Sequence, residues 1–205
     1  MTGSFGVIIL AAGSSGRLGK PKQLLYYKGK SLLQHLMDEA KSSSANSIVV
    51  VLGANAEAIQ AELQTRTIHI AINNDWKEGM ASSIRCGINA LKELNPSVDA
   101  AILMVCDQPF VTTALLNNLI ITHQETTKAI VTCNYDNTTG PPALFHKSIF
   151  PELLQLTGDK GARQIVEAHT NELETVSFPE GNIDIDIAAD YESLLRGGLH
   201  KEKMS

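Results

Sequence analysis

The sequence predicts an α/β fold of three layers, in which helices cover both faces of a mostly parallel central sheet. Two observations predict it. Short, nearly continuous apolar runs are typical of strands buried on both faces, and segments with apolar residues at helical spacing separate these runs. With 205 residues and 43% hydrophobic composition, the chain is long enough to bury one core. We therefore expect a single domain over residues 1–205.

Four apolar runs are predicted as strands, and two amphipathic segments are predicted as helices between them. The strands are expected at 5–10 ("FGVIIL"), 47–53, 67–72 and 100–106, and the helices at 31–40 and 80–94. Strands that alternate with helices form βαβ units with right-handed crossovers, so the four strands should be parallel.

After residue 107, the alternation of apolar runs and amphipathic segments becomes less regular. We expect a helix near 112–125, a strand near 128–133, an interruption at 138–142 ("TTGPP"), and helical segments near 148–156 and 160–169. Residues 174–196 predict a strand, a Pro-Gly turn, a second strand and a short helix.

Composition excludes several classes of protein. The formal net charge of -5 argues against a broad nucleic-acid-binding surface, and no stretch reaches the roughly 18 apolar residues of a membrane span. The three cysteines lie far apart without a CxxC pair, and the six histidines show no HExxH spacing, so neither disulfides nor zinc are expected. We expect a cytoplasmic protein with small-molecule partners, and with neither nucleic acid nor membrane as a partner.

The loop after the first strand is predicted to bind phosphate. Residues 10–25 read "LAAGSSGRLGKPKQLL", in which glycines allow close backbone approach and Arg17, Lys20 and Lys22 are close together. Pro21 should keep these cations on an extended loop. The spelling is neither the dinucleotide fingerprint nor the Walker loop. A solvated connection with incidental charges is the alternative.

Carboxylates elsewhere predict a cation site. Asp107 directly follows the fourth strand, where ligands bind in parallel sheets, although a turn aspartate that starts the next helix is the alternative. In "NIDIDIAAD", Asp184 and Asp186 alternate with isoleucines, which turns both aspartates to one face of a strand. Mg²⁺ prefers one or two carboxylates together with phosphate oxygens and water. A phosphate loop with separated carboxylates indicates metal-assisted nucleotidyl or phosphoryl transfer.

The stretch "GMASSIRCGI" places Gly79, Ser82, Ser83 and Arg85 near the expected start of a helix. Hydroxyls and backbone donors are available there to a ligand. Ordinary helix capping is the alternative for both serines.

Motifs along nearly the whole chain resemble the nucleotidyltransferases with an "LAAGxxxRxGxxK" signature, and within them the molybdenum cofactor cytidylyltransferases. The matching stretches are 10–25, 73–88, "CDQPF" at 106–110, "GPPALF" at 140–145, "GDKGAR" at 158–163 and "DID" at 184–186. "LAAG" together with "DQP" resembles the cytidylyl enzymes more than their guanylyl relatives. The resemblance implies a Rossmann-like nucleotidyltransferase fold, with a nucleotide-binding part at about 1–110 and a pterin-substrate part at about 111–205.

The implied reaction transfers CMP from CTP to the phosphate of molybdopterin or molybdenum-molybdopterin and releases pyrophosphate. The implied cofactor is Mg²⁺, with Mn²⁺ as a substitute, and a molybdenum hydroxylase is the implied recipient of the product. Three alternatives stay open: a guanylyltransferase, another sugar-phosphate nucleotidyltransferase, and a non-catalytic cofactor carrier or maturation chaperone.

The resemblance also assigns residues. Arg17, Lys22 and Asp107 would be catalytic, and Asp107 with Asp186 or Asp184 would hold the metal. Nucleotide binding is assigned to Leu10, Ala11, Ala12, Gly13, Ser14, Arg17, Lys22, Gly79, Ser82, Ser83 and Asp107. Binding of the pterin substrate is assigned to Gln108, Pro109, Gly140, Pro141, Pro142 and Arg163, although the prolines could equally make only a rigid turn.

The chain departs from the family at one motif, where "DIDIAAD" replaces the common "DIDTPED". Ile187 and Ala188 thereby lose an N-cap hydroxyl and a first-turn proline. This departure weakens the prediction of where the terminal helix starts, while both aspartates remain.

Overall fold

A seven-stranded sheet forms the centre of the computed structural model, which describes residues 3–63 and 68–196. The strands of the described residues are β1 (Phe5–Ala11), β2 (Tyr26–Tyr27), β3 (Lys30–Ser31), β4 (Ser47–Leu52), β5 (His69–Ile72), β6 (Ala100–Val105), β7 (Ile130–Tyr135), β8 (Thr138–His146) and β9 (Leu173–Ser177). Residue 67, the first of the predicted strand 67–72, lies outside the described residues.

The order across the sheet is β5-β4-β1-β6-β8-β7-β9, and β2 and β3 form a separate hairpin. The first four strands in that order are parallel, as predicted; in β1, Ile8 pairs with Val49 of β4 and Leu103 of β6. β8 runs antiparallel to β6 and β7, whereas β9 is parallel to β7. The carboxyl ends of β1 and β6 therefore lie side by side at one edge of the sheet.

Helices cover both faces of the sheet, which confirms the three-layer prediction. They are α1 (Leu32–Ser42), α2 (Ala56–Glu62), α3 (Met80–Leu94), α4 (Thr113–Thr126), α5 (Phe150–Leu153), α6 (Arg163–Ala168) and α7 (Ala188–Leu195). No helix in the described ranges is both long and apolar enough to cross a membrane.

The alternation of side chains along β1 divides the core into two clusters. Val7 and Ile9 pack with residues of α1 and α4 on one face, whereas Ile8 and Leu10 pack with residues of α3 and α6 on the other. Successive strand residues point to opposite faces, so a strand covered on both faces has to be apolar throughout. Every residue of β1 is buried.

The predicted interruption at 138–142 is wrong, because these residues form the first half of β8. Thr132 pairs with Ala143 and Cys133 with Gly140, so a register irregularity falls opposite the two intervening prolines. Proline has no N–H to donate to a ladder, and bulges are among the few sheet positions that tolerate it. The irregularity lets the strand continue past both prolines.

The second predicted strand of the tail is also wrong. Residues 183–186 lie outside the strands, and Ile185 N donates a hydrogen bond to the Asp107 carbonyl at 3.0 Å. The expected alternation holds for Ile183 and Ile185, which are buried, but Ile187 is 43% exposed. The chain turns into α7 at this point, so Ile187 leaves the face that the other two isoleucines share.

α7 begins at Ala188 although the Thr-Pro start of the family is missing. Asp190 Oδ2 accepts hydrogen bonds from the backbone N–H groups of Asp186 at 3.0 Å and Ile187 at 2.9 Å. A first-turn carboxylate also interacts favourably with the positive end of the helix dipole. These contacts fix the start of α7, although Ile187 makes no side-chain cap hydrogen bond.

Leu36→Ala should destabilise the fold by about 2 to 5 kcal/mol, because it removes a fully buried side chain of α1 and leaves a cavity. Urea unfolding monitored by circular dichroism measures this loss. Lys41→Ala, at an exposed position of the same helix, is the control and should change stability by less than about 0.5 kcal/mol. Equal stability of the two variants would contradict the placement of α1 on the core.

Candidate functional site

The glycine-rich loop follows β1 and ends in a 3-10 turn at Lys22–Leu24. Lys22 therefore begins a helical turn and does not lie on the extended loop that the sequence predicted. Within this loop, Ser15 (55°) and Gly19 (69°) have positive φ angles. Gly13 and Gly16 do not.

The Gln23 side chain anchors the glycine-rich loop by hydrogen bonds to its backbone. This side chain is buried, and Nε2 donates to the carbonyl oxygens of Ala11 at 2.7 Å and Gly13 at 3.0 Å. Ser15 Oγ accepts a hydrogen bond from the backbone N–H of Lys22 at 2.9 Å, which closes the loop. Gln23 lies in the glycine-rich stretch of the sequence, but its anchoring role depends on the folded path of the backbone.

A cavity of about 330 Å³, here called the loop pocket, opens at the carboxyl ends of β1 and β6. The predicted residues that line it are Leu10, Ala11, Ala12, Gly13, Ser14, Lys22, Gly79, Ser83 and Asp107. The sequence missed other lining residues, namely Gln23, Trp76, Lys77, Met80, Val105, Cys106 and Asp159. Several of the missed residues lie in the motifs that carry the family resemblance, and that was the available signal.

An ion cluster lies at the edge of the loop pocket. Lys22 Nζ is 2.8 Å from Asp107 Oδ2 and 3.2 Å from Asp186 Oδ1, and Arg17 Nη2 is 3.3 Å from Asp186 Oδ2. Burial alone would lower the pKa of Lys22, but the Asp107 and Asp186 carboxylates outweigh it and raise that pKa above the usual lysine value. Lys22 therefore carries its charge throughout the physiological pH range.

The exposure of these side chains determines how strongly they interact. The Lys22 and Asp107 side chains are only 16% and 25% exposed, whereas Arg17 is 74% exposed. The Lys22–Asp107 attraction is therefore weakly screened, and the Arg17 contact is strongly screened by solvent. Lys20 is separate from the cluster, since its ammonium lies over the Tyr191 ring at 5.3 Å.

The carboxylates of Asp107 and Asp186 both contact the Lys22 ammonium, so they are the two acidic groups that lie together at the edge of the loop pocket. Within residues 3–63 and 68–196, no group of three or more His, Cys, Asp or Glu side chains is arranged to hold a metal ion. Two protein carboxylates completed by phosphate oxygens and water are the usual ligands of Mg²⁺. Asp184 is exposed, and the charge of its carboxylate raises the pKa of Tyr135.

Residues at the start of α3 form a hydrogen-bonded group. Asn73 Nδ2 donates to Ser82 Oγ at 2.8 Å and to Ser83 Oγ at 3.1 Å, and Ser82 Oγ donates to the Gly79 carbonyl at 2.9 Å. Ser82 therefore serves the helix start and does not line the loop pocket, whereas Ser83 does. Asn73, which the sequence did not single out, orients both hydroxyls.

Arg85 has a different place from the one the sequence suggested. Its guanidinium pairs with both carboxylate oxygens of Glu78, at 2.9 and 2.6 Å, and donates to the Leu156 carbonyl at 2.5 Å. It does not line the loop pocket. Arg85 thus fastens the segment before α3 and the segment after α5 to the helix.

A second cavity of about 310 Å³, here called the proline pocket, lies between the sheet, α3 and α6. Of the residues predicted to bind the second substrate, Gly140, Pro141 and Arg163 line it. Gln108, Pro109 and Pro142 are buried and line neither pocket. The two cavities adjoin, because they share the lining residues Leu10, Met80, Val105 and Asp159.

Cys106 lines the loop pocket beside Asp107. Burial raises the pKa of the Cys106 thiol far above its usual value. The thiol therefore stays protonated and is a poor nucleophile.

Known proteins resemble this chain in sequence and fold. Nicotine blue oxidoreductase of Paenarthrobacter nicotinovorans is 30% identical over 165 residues, which span 76% of this chain and 78% of that protein. The crystal structure of Rv0371c from Mycobacterium tuberculosis H37Rv superposes with a TM-score of 0.83 at 32% identity, covering 96% of this chain and 100% of that one. A further structure of Rv0371c is a complex with manganese, with a TM-score of 0.78 and 29% identity over 94% of this chain and 98% of that one.

A more distant structure shares the fold. Molybdopterin-guanine dinucleotide biosynthesis protein A from Archaeoglobus fulgidus gives a TM-score of 0.61 at 18% identity, covering 91% of this chain and 95% of that one. The model of the MobA-like NTP transferase domain matches residues 7–173, which include the glycine-rich loop, Asp107 and the residues of the proline pocket up to Val166. This chain therefore belongs to the family of MobA-like NTP transferase domains and is a nucleotidyltransferase.

Proposed function

We propose that this protein is a cytidylyltransferase that transfers CMP from CTP to the phosphate of molybdopterin or molybdenum-molybdopterin. The observation that supports it most directly is the Lys22, Asp107 and Asp186 cluster at the edge of the loop pocket, beside an adjoining second cavity. A nucleotidyltransferase needs this arrangement, because it has to bring a nucleotide and an acceptor to one charged centre.

The loop pocket would hold CTP. Backbone N–H groups of the glycine-rich loop would face the triphosphate, as in other anion-binding loops. Lys22 and Arg17 would offset the charge of the α-phosphate and of the departing pyrophosphate. Their positive charge would stabilise the negative charge that grows at the leaving group. The Lys22 ammonium lies between Asp107 and Asp186, and it would turn to the phosphates when a cation occupies that space.

Asp107 and Asp186 would hold Mg²⁺, or Mn²⁺ in its place. The metal would supply neutralisation of phosphate charge at the site of transfer. The manganese complex of Rv0371c supports this choice of cation in a relative. Because the protein offers two carboxylates, the remaining ligands would come from the nucleotide and water.

The proline pocket would hold the acceptor. Lys160 and Arg163, both exposed, line its rim and would attract an anionic substrate. An oxygen of the acceptor phosphate would attack the α-phosphorus of CTP; the bond from that phosphorus to the bridging oxygen would break, and pyrophosphate would leave with the bond electrons. The acceptor itself is the nucleophile, so the protein contributes position and charge.

Asp107→Asn should lower kcat by about two to four powers of ten, which corresponds to about 3 to 5 kcal/mol in the barrier, because it removes a carboxylate charge from the metal site. Pyrophosphate release from CTP and molybdopterin measures this loss, and thermal unfolding verifies that the variant is folded. Asp38→Asn is the control. Asp38 of α1 pairs with Lys30 of β3, and this substitution should leave kcat unchanged. Turnover like that of the wild type in Asp107→Asn would refute the assignment.

CTP should be preferred over GTP by tenfold or more in kcat/KM, about 1.4 kcal/mol. The loop backbone at Ala11, Ala12 and Gly13 lines the loop pocket, and a base placed against it would fit better if it were the smaller cytosine. Pyrophosphate release from each of the four nucleoside triphosphates, with and without molybdopterin, tests this. Preference for GTP would indicate a guanylyltransferase, and binding of both substrates without pyrophosphate release would indicate a carrier.

Lys22→Met should lower kcat more than it raises the KM for CTP, because its ammonium would stabilise charge that develops during transfer. The same variant should bind Mn²⁺ without nucleotide more tightly than the wild type, since the ammonium no longer occupies the space between the carboxylates. Steady-state kinetics and electron paramagnetic resonance of Mn²⁺ measure the two effects. Lys20→Met is the matched control. Unchanged turnover, CTP affinity and Mn²⁺ affinity in Lys22→Met would mean that Lys22 has no part in the site.

A further inference from the structure

Tyr135 lies on the wall of the proline pocket and is not among the residues that sequence or family resemblance singled out. It is the last residue of β7, and its ring contacts the Phe178 ring edge-on at a centroid distance of 6.3 Å. The side chain is half-buried, so part of it faces the cavity. Its position is therefore fixed on one side and open to a ligand on the other.

Two glycines form a slot around this side chain. A Cβ atom at Gly140 would overlap the Tyr135 hydroxyl oxygen, and a Cβ atom at Gly181 would overlap the Tyr135 ring. Gln108 Nε2 donates to the Gly181 carbonyl at 2.8 Å and so fixes the turn that forms one side of the slot. Any larger residue at either glycine would displace the tyrosine, so the hydroxyl has a defined place.

The hydroxyl remains a hydrogen-bond donor at physiological pH. Burial and the Asp184 carboxylate raise the pKa of Tyr135 to about 12, against a lowering by a hydrogen bond with the Gln108 side chain. A lowering of this kind means that the Gln108 amide donates and the hydroxyl oxygen accepts, so the hydroxyl proton is left to be donated. Gln108, whose side chain hydrogen-bonds with this hydroxyl, directly follows Asp107 in the chain, so the hydroxyl lies on the Asp107 side of the proline pocket.

The rest of the inner wall is mostly apolar, and comes from Leu10, Ile84, Leu103, Phe145 and Val166. Thr132 also lines the cavity, but its hydroxyl already donates to the Gly140 carbonyl at 2.8 Å. In mostly apolar cavities, a few precisely placed polar groups determine the orientation of the ligand. The Tyr135 hydroxyl is such a group.

We infer that the Tyr135 hydroxyl donates a hydrogen bond to the phosphate of the acceptor in the proline pocket and so turns that phosphate toward Asp107. This inference rests on the proposed transfer to a phosphate. Tyr135 is thus a substrate-binding residue that selects acceptors ending in a phosphate. The apolar wall would hold the body of the acceptor, and the slot would hold the Tyr135 hydroxyl at a constant position.

Tyr135→Phe tests the inference because it removes the hydroxyl and keeps the ring in its slot. With CTP and molybdopterin, the KM for molybdopterin should rise roughly 10- to 100-fold, since a hydrogen bond to a charged group is lost. The KM for CTP should stay within about twofold, because Tyr135 does not line the loop pocket. Tyr191→Phe is the matched control; its hydroxyl bonds to the Tyr26 backbone, outside both pockets, and its loss should leave both constants unchanged.

A binding measurement separates this inference from the proposed function. Phenyl phosphate, an apolar ring that carries a phosphate, should bind the wild type and Tyr191→Phe in the presence of Mg²⁺ and a non-hydrolysable CTP analogue. Tyr135→Phe should bind it at least tenfold more weakly in isothermal titration calorimetry, whereas phenol should not distinguish the three proteins. If the wild type does not turn over molybdopterin but shows this pattern, the proposed substrate is wrong and the role of Tyr135 stands.

Two results would overturn the role of Tyr135. One is equal affinity of the wild type and Tyr135→Phe for phenyl phosphate. The other is failure of the wild type to bind phenyl phosphate at all.

Discussion

The attraction between the Lys22 ammonium and the carboxylates of Asp107 and Asp186 is the interaction on which the site depends. These groups come from the loop after β1, the end of β6 and the segment before α7, which are far apart in sequence. Without the ammonium, two negative groups would face each other in a partly buried place. One lysine therefore connects three segments beside the loop pocket.

Much of the fold could be predicted because its strands have a simple environment. Strands buried on both faces have to be apolar throughout, as β1 is, and the helices between them show a regular apolar period. The loop and Asp107 could be predicted as site residues because ligands of parallel sheets bind where strands end. Local sequence is enough for both inferences.

The remaining features depend on contacts between residues distant in sequence. Pro141 and Pro142 indicate an interruption locally, but β7 shifts its register opposite them and the strand continues. Asp184 and Asp186 have equivalent local patterns, and the positions of Lys22 and Arg17, which both pair with Asp186, distinguish them. Likewise, the slot around Tyr135 needs glycines from β8 and from the turn after β9, and neither glycine marks it in the sequence.

The wall that the two pockets share affects how a finished product would leave the protein. A product made by joining the contents of adjoining cavities would span both, and contacts at one end would hold the other end at high effective concentration. Such a product would leave more slowly than either half alone. Dissociation of such a product would then be a slow step of each turnover.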